Sequence, residues 1–209
     1  MKQAFLTMLG MQNKMNQKVH ADWIGQRFEW YRAIWIECGE LVEHYGYKWW
    51  KKQTPDMDQV KLEVIDIWHF GMSALFAEGQ RLDDIAELMV GQLSAYQYQG
   101  QGVRNATESL AAHSLETKSF SVALFWDLLH SVEMSFDDLY QQYVGKNVLN
   151  FFRQDHGYKD GSYIKQWQGR EDNEHLVDIL AVLDDQSSSF GADVYEALEQ
   201  RYQLVSASS

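Results

Sequence analysis

Four carboxylates stand in two pairs of equal spacing, Glu37 with Glu40 and Glu63 with Asp66. Residues three apart on a helix share one face, with Cβ atoms roughly 5–6 Å apart. If both segments are helical and the helices pack, the pairs form a cluster of four acids. Bare in a core, such a cluster is unfavourable: like charges raise one another's pKa, and burial penalises the ionised forms. A hard divalent cation resolves the conflict. Magnesium takes oxygen ligands and keeps positions open for substrate phosphates. Taken alone, Glu-x-x-Glu also describes a solvated face of an acidic helix. The second pair is set among Val64, Ile65, Ile67, Trp68 and Phe70, where water is a poor neighbour. A di-iron carboxylate bundle would need Glu-x-x-His on each of two helices. No Glu-x-x-His occurs, and Asp66-x-x-His69 only approaches that pattern.

Residues 145–170 hold five basic side chains (Lys146, Arg153, Lys159, Lys165, Arg170) against two acids (Asp155, Asp160), in a chain whose net charge is −12. Lys146, Asn150 and Arg153 fall at helical spacing on one face, and Lys159 lies in a glycine-punctuated loop beyond them. Arginine forks and lysine point charges are common phosphate ligands. The alternative is a solvated basic patch that balances nearby acids. Acids that repel a polyphosphate and bases that hold its far oxygens become compatible once a metal bridges the acids.

Five further side chains could meet a nucleoside. Gln12 and Asn16 are four apart on the first helix, and paired amides suit a pyrimidine edge; they could equally be surface polar residues. Trp49 and Trp50 could stack on a base or fill a core. His69 could be a base contact or a satisfied core histidine. Cys38 lies between the two glutamates of the first pair with no histidine motif beside it, and reads as a packing residue.

Helices must position all of these. Apolar residues recur at helical spacing over 3–18, 25–45 and from Thr54-Pro55-Asp56 through Phe76, with proline in the first turn of the third segment. That third helix is apolar on most sides, so it should be central and buried. Further helices are predicted over 82–95, about 105–115, 119–133, 135 to about 153, 171–184 and 190–203. Ser135-Phe136-Asp137-Asp138 reads as a capping box with aspartate in place of Glu or Gln. A long loop should span Gly157 to Gly169, and Ser206–Ser209 should be a frayed tail. No segment alternates as a strand would, and no internal repeat occurs.

The chain has 209 residues, 45% hydrophobic, with one proline. It is long enough for a packed domain, and with so little proline its helices can run uninterrupted. A pI near 4.9 argues against nonspecific nucleic-acid binding, which needs a cationic surface. One cysteine excludes an internal disulfide and fits a reducing cytosol. No apolar run has the length of a signal sequence core or a membrane span.

The segments Glu37-Cys38-Gly39-Glu40-Leu41, Lys48-Trp49-Trp50-Lys51, Glu63-Val64-Ile65-Asp66-Ile67-Trp68-His69-Phe70 and Gly145-Lys146-Asn147-Val148-Leu149-Asn150 through Arg153 to Gly157-Tyr158-Lys159-Asp160-Gly161-Ser162-Tyr163 together resemble a known family. It is the dimeric all-α dUTP diphosphatases, within the wider all-α NTP pyrophosphatase group. The resemblance runs from about Leu9 to Leu176. It implies an all-α multi-helix bundle, one domain over 1–209, a cytoplasmic homodimer, and Mg2+-dependent cleavage of dUTP to dUMP and pyrophosphate, with dUDP giving phosphate. Carried onto this sequence, Glu37, Glu40, Glu63 and Asp66 would hold metal, and Glu37 or Glu40 would orient or deprotonate the attacking water. Gln12, Asn16, Trp50 and His69 would contact the nucleoside. Lys146, Asn150, Arg153 and Lys159 would hold phosphate, with Asn150 also reaching a metal. Gln17-Lys18-Val19-His20 replaces the acidic stretch usual after the first helix. The region from about 80 to 118 matches poorly. The alternatives are an enzyme of the same fold acting on another nucleotide such as dCTP, and a helical module without activity.

Overall fold

A computed structural model describes residues 1–184, 187 and 189–206. The chain is all-α: among the described residues, helices account for nearly every regular element, with one minimal hairpin. It divides into two compact units, Met1–Leu139 and Tyr140–Ser209.

In the first unit, α1 (Lys2–Val19), α2 (Trp30–Tyr45), α3 (Met57–Ala74), α4 (Leu82–Ser94), α5 (Gly102–Thr117) and α6 (Val122–Ser131) enclose one core. The central α3 packs against α1, α2 and α6. Its Val60, Val64, Ile67, Trp68 and Met72 are fully buried, as its pattern requires. Phe5, Met8 and Leu9 of α1 and Phe125 of α6 fill the same core, and Trp68 stacks on Phe125 at 4.7 Å. Gly71 brings α3 against the ring of Phe120; a Cβ there would lie 2.5 Å from ring atoms.

α2 and α3 run antiparallel. The Asp56 N–H donates to the His44 carbonyl at one end (3.0 Å), and Trp30 stacks on Phe70 at the other. Several boundaries differ from the periodic pattern by a few residues, and two of the differences have a local cause. α2 begins at Trp30 rather than 25, because Arg27 adopts φ +52°, which a right-handed helix cannot propagate. α3 begins after Pro55 rather than around it: the Asp56 side chain accepts from the Gln59 N–H (3.3 Å) and makes Asp56 the cap.

α7 (Phe136–Asp155) opens on the expected reciprocal cap. The Ser135 N–H donates to Asp138 Oδ2 (2.8 Å) and the Asp138 N–H to Ser135 Oγ (3.0 Å). The second unit holds most of α7, then α8 (Asp172–Leu180) and α9 (Phe190–Ser206). The stretch read as loop contains a two-stranded antiparallel hairpin, β1 (Gln166–Trp167) and β2 (Arg170–Glu171). Gln168 and Gly169 both take positive φ, the geometry of a tight two-residue hairpin turn, and two residues are too few for alternation to register in the sequence. Trp167 is fully buried among Phe152, Tyr163 and Tyr202. Apart from Ser206, the predicted tail lies outside the described residues. No described helix is long and apolar enough to cross a membrane.

Candidate active site

The antiparallel pairing of α2 and α3 sets Glu37 opposite Glu63 and Asp66. Ligand oxygens of these three lie within 4.8 Å of one another. On α2, Ile34, Cys38 and Leu41 form the buried stripe, which turns Glu37, Glu40 and His44 onto the neighbouring face. Glu63 is 8% exposed. The Glu37 carboxyl is pushed up to about 8, first by burial, then by the charge of Asp66, a hydrogen bond with Glu63 and the charges of Glu63 and Glu40. Glu40 is exposed and stands outside the group of three, yet its charge acts on Glu37. His44 Nε2 lies 3.5 Å from Glu63 Oε1. His44 is a residue beyond the predicted set, and its only signal in the sequence is the same-face spacing Glu40-x-x-x-His44. Burial pushes the Cys38 thiol up to about 12, which leaves it protonated and suits packing.

An all-oxygen donor set of three carboxylates, one with its proton affinity raised by burial and by its neighbours, is the chemistry a hard divalent cation suits. Its charge would replace the proton and relieve the repulsion.

Gln12 (5% exposed), Asn16 (8%) and His69 (5%) meet in the first unit, joined by Ser73. Gln12 Nε2 donates to Asn16 Oδ1 (3.0 Å), Asn16 Nδ2 to Ser73 Oγ (3.0 Å), and the Ser73 hydroxyl to the His69 carbonyl (2.9 Å). His69 Nδ1 lies 2.8 Å from Gln12 Oε1. Gln12 Oε1 can only accept, so Nδ1 carries the proton. Ala74, the residue after Ser73, lines a cavity of about 320 Å3 walled by Trp23, Phe28, Trp30 and Phe76, with Arg27 and Lys118 at its edge. Trp49 (90% exposed) and Trp50 (60%) sit on the connection between α2 and α3 rather than in the core.

The phosphate candidates belong to the second unit. Lys146 is buried on α7 and Asn150 half-buried one turn later. Arg153 is held by Asp172, with Nε donating to Oδ2 and Nη2 to Oδ1, both at 2.8 Å. Its Nη1 donates to Asn150 Oδ1 (3.3 Å). Lys165 pairs with Glu171 and Arg170 with Asp178, as a charge-balanced patch would have it. Lys159 is exposed in the loop that Gly157 and Gly161 shape with positive φ, and has no acidic partner among the described residues. Asp172 and Tyr163, whose hydroxyl donates to Asp172 Oδ2 (2.8 Å), were missed; nothing in sequence spacing joins Arg153 to an acid 19 residues on.

A family profile described as dUTPase matches residues 4–158, about three quarters of the chain. The chain belongs to the dUTPase family. It is therefore a dUTP diphosphatase, an enzyme that hydrolyses dUTP. The matched span of this dUTPase holds all four carboxylates, the buried amide group, and Lys146, Asn150 and Arg153. Enzymes of this kind use a divalent metal, and the acidic cluster is a group able to hold one. No curated protein matches the chain.

Proposed function

We propose that the chain hydrolyses dUTP to dUMP and pyrophosphate, and dUDP to dUMP and phosphate, with Mg2+ held by Glu37, Glu63 and Asp66 and Glu40 completing the acidic face. The observation that carries this reading is the approach of three carboxylate oxygens within 4.8 Å, with Glu37 driven up to about 8, inside the family-matched span. When bound, the ion supplies neutralisation of charge on the phosphate oxygens. Glu37 is the carboxylate whose surroundings most favour holding a proton, which fits a general base for water. That water's oxygen bonds to phosphorus, the bond from phosphorus to the departing phosphate oxygen breaks, and the carboxylate takes the proton.

Lys146, Asn150 and Lys159 serve the phosphates, and Arg153 serves them through the Asn150 amide to which it donates. Trp50 serves the nucleoside. Gln12, Asn16 and His69 read the base, their buried network giving amides a fixed orientation toward one hydrogen-bonding edge. Thymine is excluded by lack of room for its methyl. The enzyme works as a homodimer in the cytoplasm. A groove between α2 and α5, lined by Trp35, Val42, Tyr47 and Ala111, supports association of two copies.

Pyrophosphate release from dUTP, dCTP and dTTP, with Mg2+ and with EDTA, tests the reading. The expected result is Mg2+-dependent turnover of dUTP well above the others, abolished by Glu37→Gln in a protein that still folds. Equal turnover of dCTP would refute the substrate assignment. Full activity of Glu37→Gln would refute the site.

A further inference from the structure

Asp172 lies beyond the family-matched residues, at the first position of α8, and is fully buried. Both of its oxygens are occupied twice. Oδ2 accepts from Arg153 Nε and the Tyr163 hydroxyl; Oδ1 accepts from Arg153 Nη2 and the Asn173 N–H, each at 2.8 Å. A carboxylate with four filled acceptor positions has no freedom to turn. The parallel fork therefore fixes the guanidinium plane as well as its place. That plane aims Nη1 at Asn150 Oδ1.

We propose that Asp172 is a positioning residue for the phosphate side: it clamps Arg153, and Arg153 turns the Asn150 amide so that its N–H donors, not its oxygen, are offered to substrate. The inference rests on the reading of Asn150 as a phosphate-side residue and goes further in deciding how it acts. An amide's oxygen and nitrogen lie in one plane, on opposite sides of the bond that joins the group to the side chain, so an oxygen drawn to Arg153 leaves the nitrogen directed away from it. An oxygen already beside a guanidinium is a poor ligand for a second cation, whereas the freed N–H groups match a phosphate oxygen. Buried ion pairs add little net stability, and fixing geometry is a better reason for this one.

Steady-state kinetics of the full chain with dUTP and Mg2+ test the proposal. Loss of one hydrogen bond to a charged group is expected to raise KM about tenfold in Asn150→Ala. Asp172→Asn should raise KM by a similar factor with kcat within about twofold, and should add nothing in the Asn150→Ala background, as groups acting in series are non-additive. Multiplying effects in the double variant would overturn the positioning role alone. Parental KM in Asn150→Ala would overturn both this proposal and the phosphate-side reading beneath it. A purely structural role predicts lower kcat at unchanged KM in Asp172→Asn, and that result also refutes positioning. Should Asp172→Asn fail to fold, Arg153→Lys keeps the charge opposite Asp172 but not the fork that reaches Asn150. It should show the same rise in KM, and a parental KM would overturn the proposal.

Discussion

Glu37 couples metal, proton and stability in one side chain. Burial and the neighbouring acids raise its pKa from the ordinary 4.5 to about 8, so the folded chain binds a proton that the unfolded chain has already lost. Without metal, its contribution to stability is fully present below about 4.5 and is lost as pH rises through about 8. A cation entering the cluster must displace that proton, so metal binding strengthens with pH across the same window. The melting temperature gained on adding Mg2+ should therefore be larger at pH 8 than at pH 6; an equal gain at both would refute the coupling. Ser73 is a second residue whose effect exceeds its size. Its hydroxyl is committed to the His69 carbonyl, so Asn16 must donate to it, and that sets the direction of every later bond through Gln12 to His69 Nδ1. Ser73→Ala frees the Asn16 amide to flip. We expect the ratio of kcat/KM for dUTP over dCTP to fall about five- to tenfold, the scale of one misdirected hydrogen bond; an unchanged ratio would show that the amides are oriented by other means.

Among the elements, α3 carries the most and tolerates the least. Gly71 has no space for even a methyl group against the Phe120 ring, and Phe120 is itself buried. Gly71→Ala improves helix propensity but overpacks the core, and overpacking wins: a loss of about 1–3 kcal/mol is expected in urea unfolding. No loss would mean that Phe120 can move aside. The approach of Glu37 to Glu63 and Asp66 was legible in the sequence because any α-helix keeps residues three apart on one face, whereas Glu40, expected in the same cluster, stands outside it. The reciprocal Ser135–Asp138 cap was legible for the same local reason. The start of α2 was not, because only the left-handed Arg27 interrupts an otherwise continuous apolar rhythm. The fork from Asp172 to Arg153 was not either, because a pairing across 19 residues is made by the chain's return through the hairpin and α8.

At the scale of the whole molecule, a chain of net charge −12 acts on a polyanion. The enzyme must admit a small, cation-screened nucleotide while repelling the same chemistry in polymeric form. Fluorescence anisotropy of labelled duplex DNA should stay flat on addition of the protein at about 0.15 M salt, where nonspecific binding depends on released counterions; a salt-sensitive rise would reveal a basic surface that the charge balance hides. The family match spans residues 4–158 and so runs from the first unit into the second, ending one residue short of Lys159. The loop lysine, Tyr163 and Asp172 thus belong to a part of the chain that the family profile leaves undescribed.

The unusual exposure of Trp49 and Trp50 has an optical consequence. Trp68 and Trp167 are sealed in apolar surroundings and should emit in the blue, beyond the reach of dissolved quenchers. The pair on the connection between α2 and α3 should emit further to the red and be dimmed by acrylamide. The chain thus carries its own lamp beside the helices that hold the acidic cluster, and a nucleotide settling against Trp50 would shade it without any attached dye.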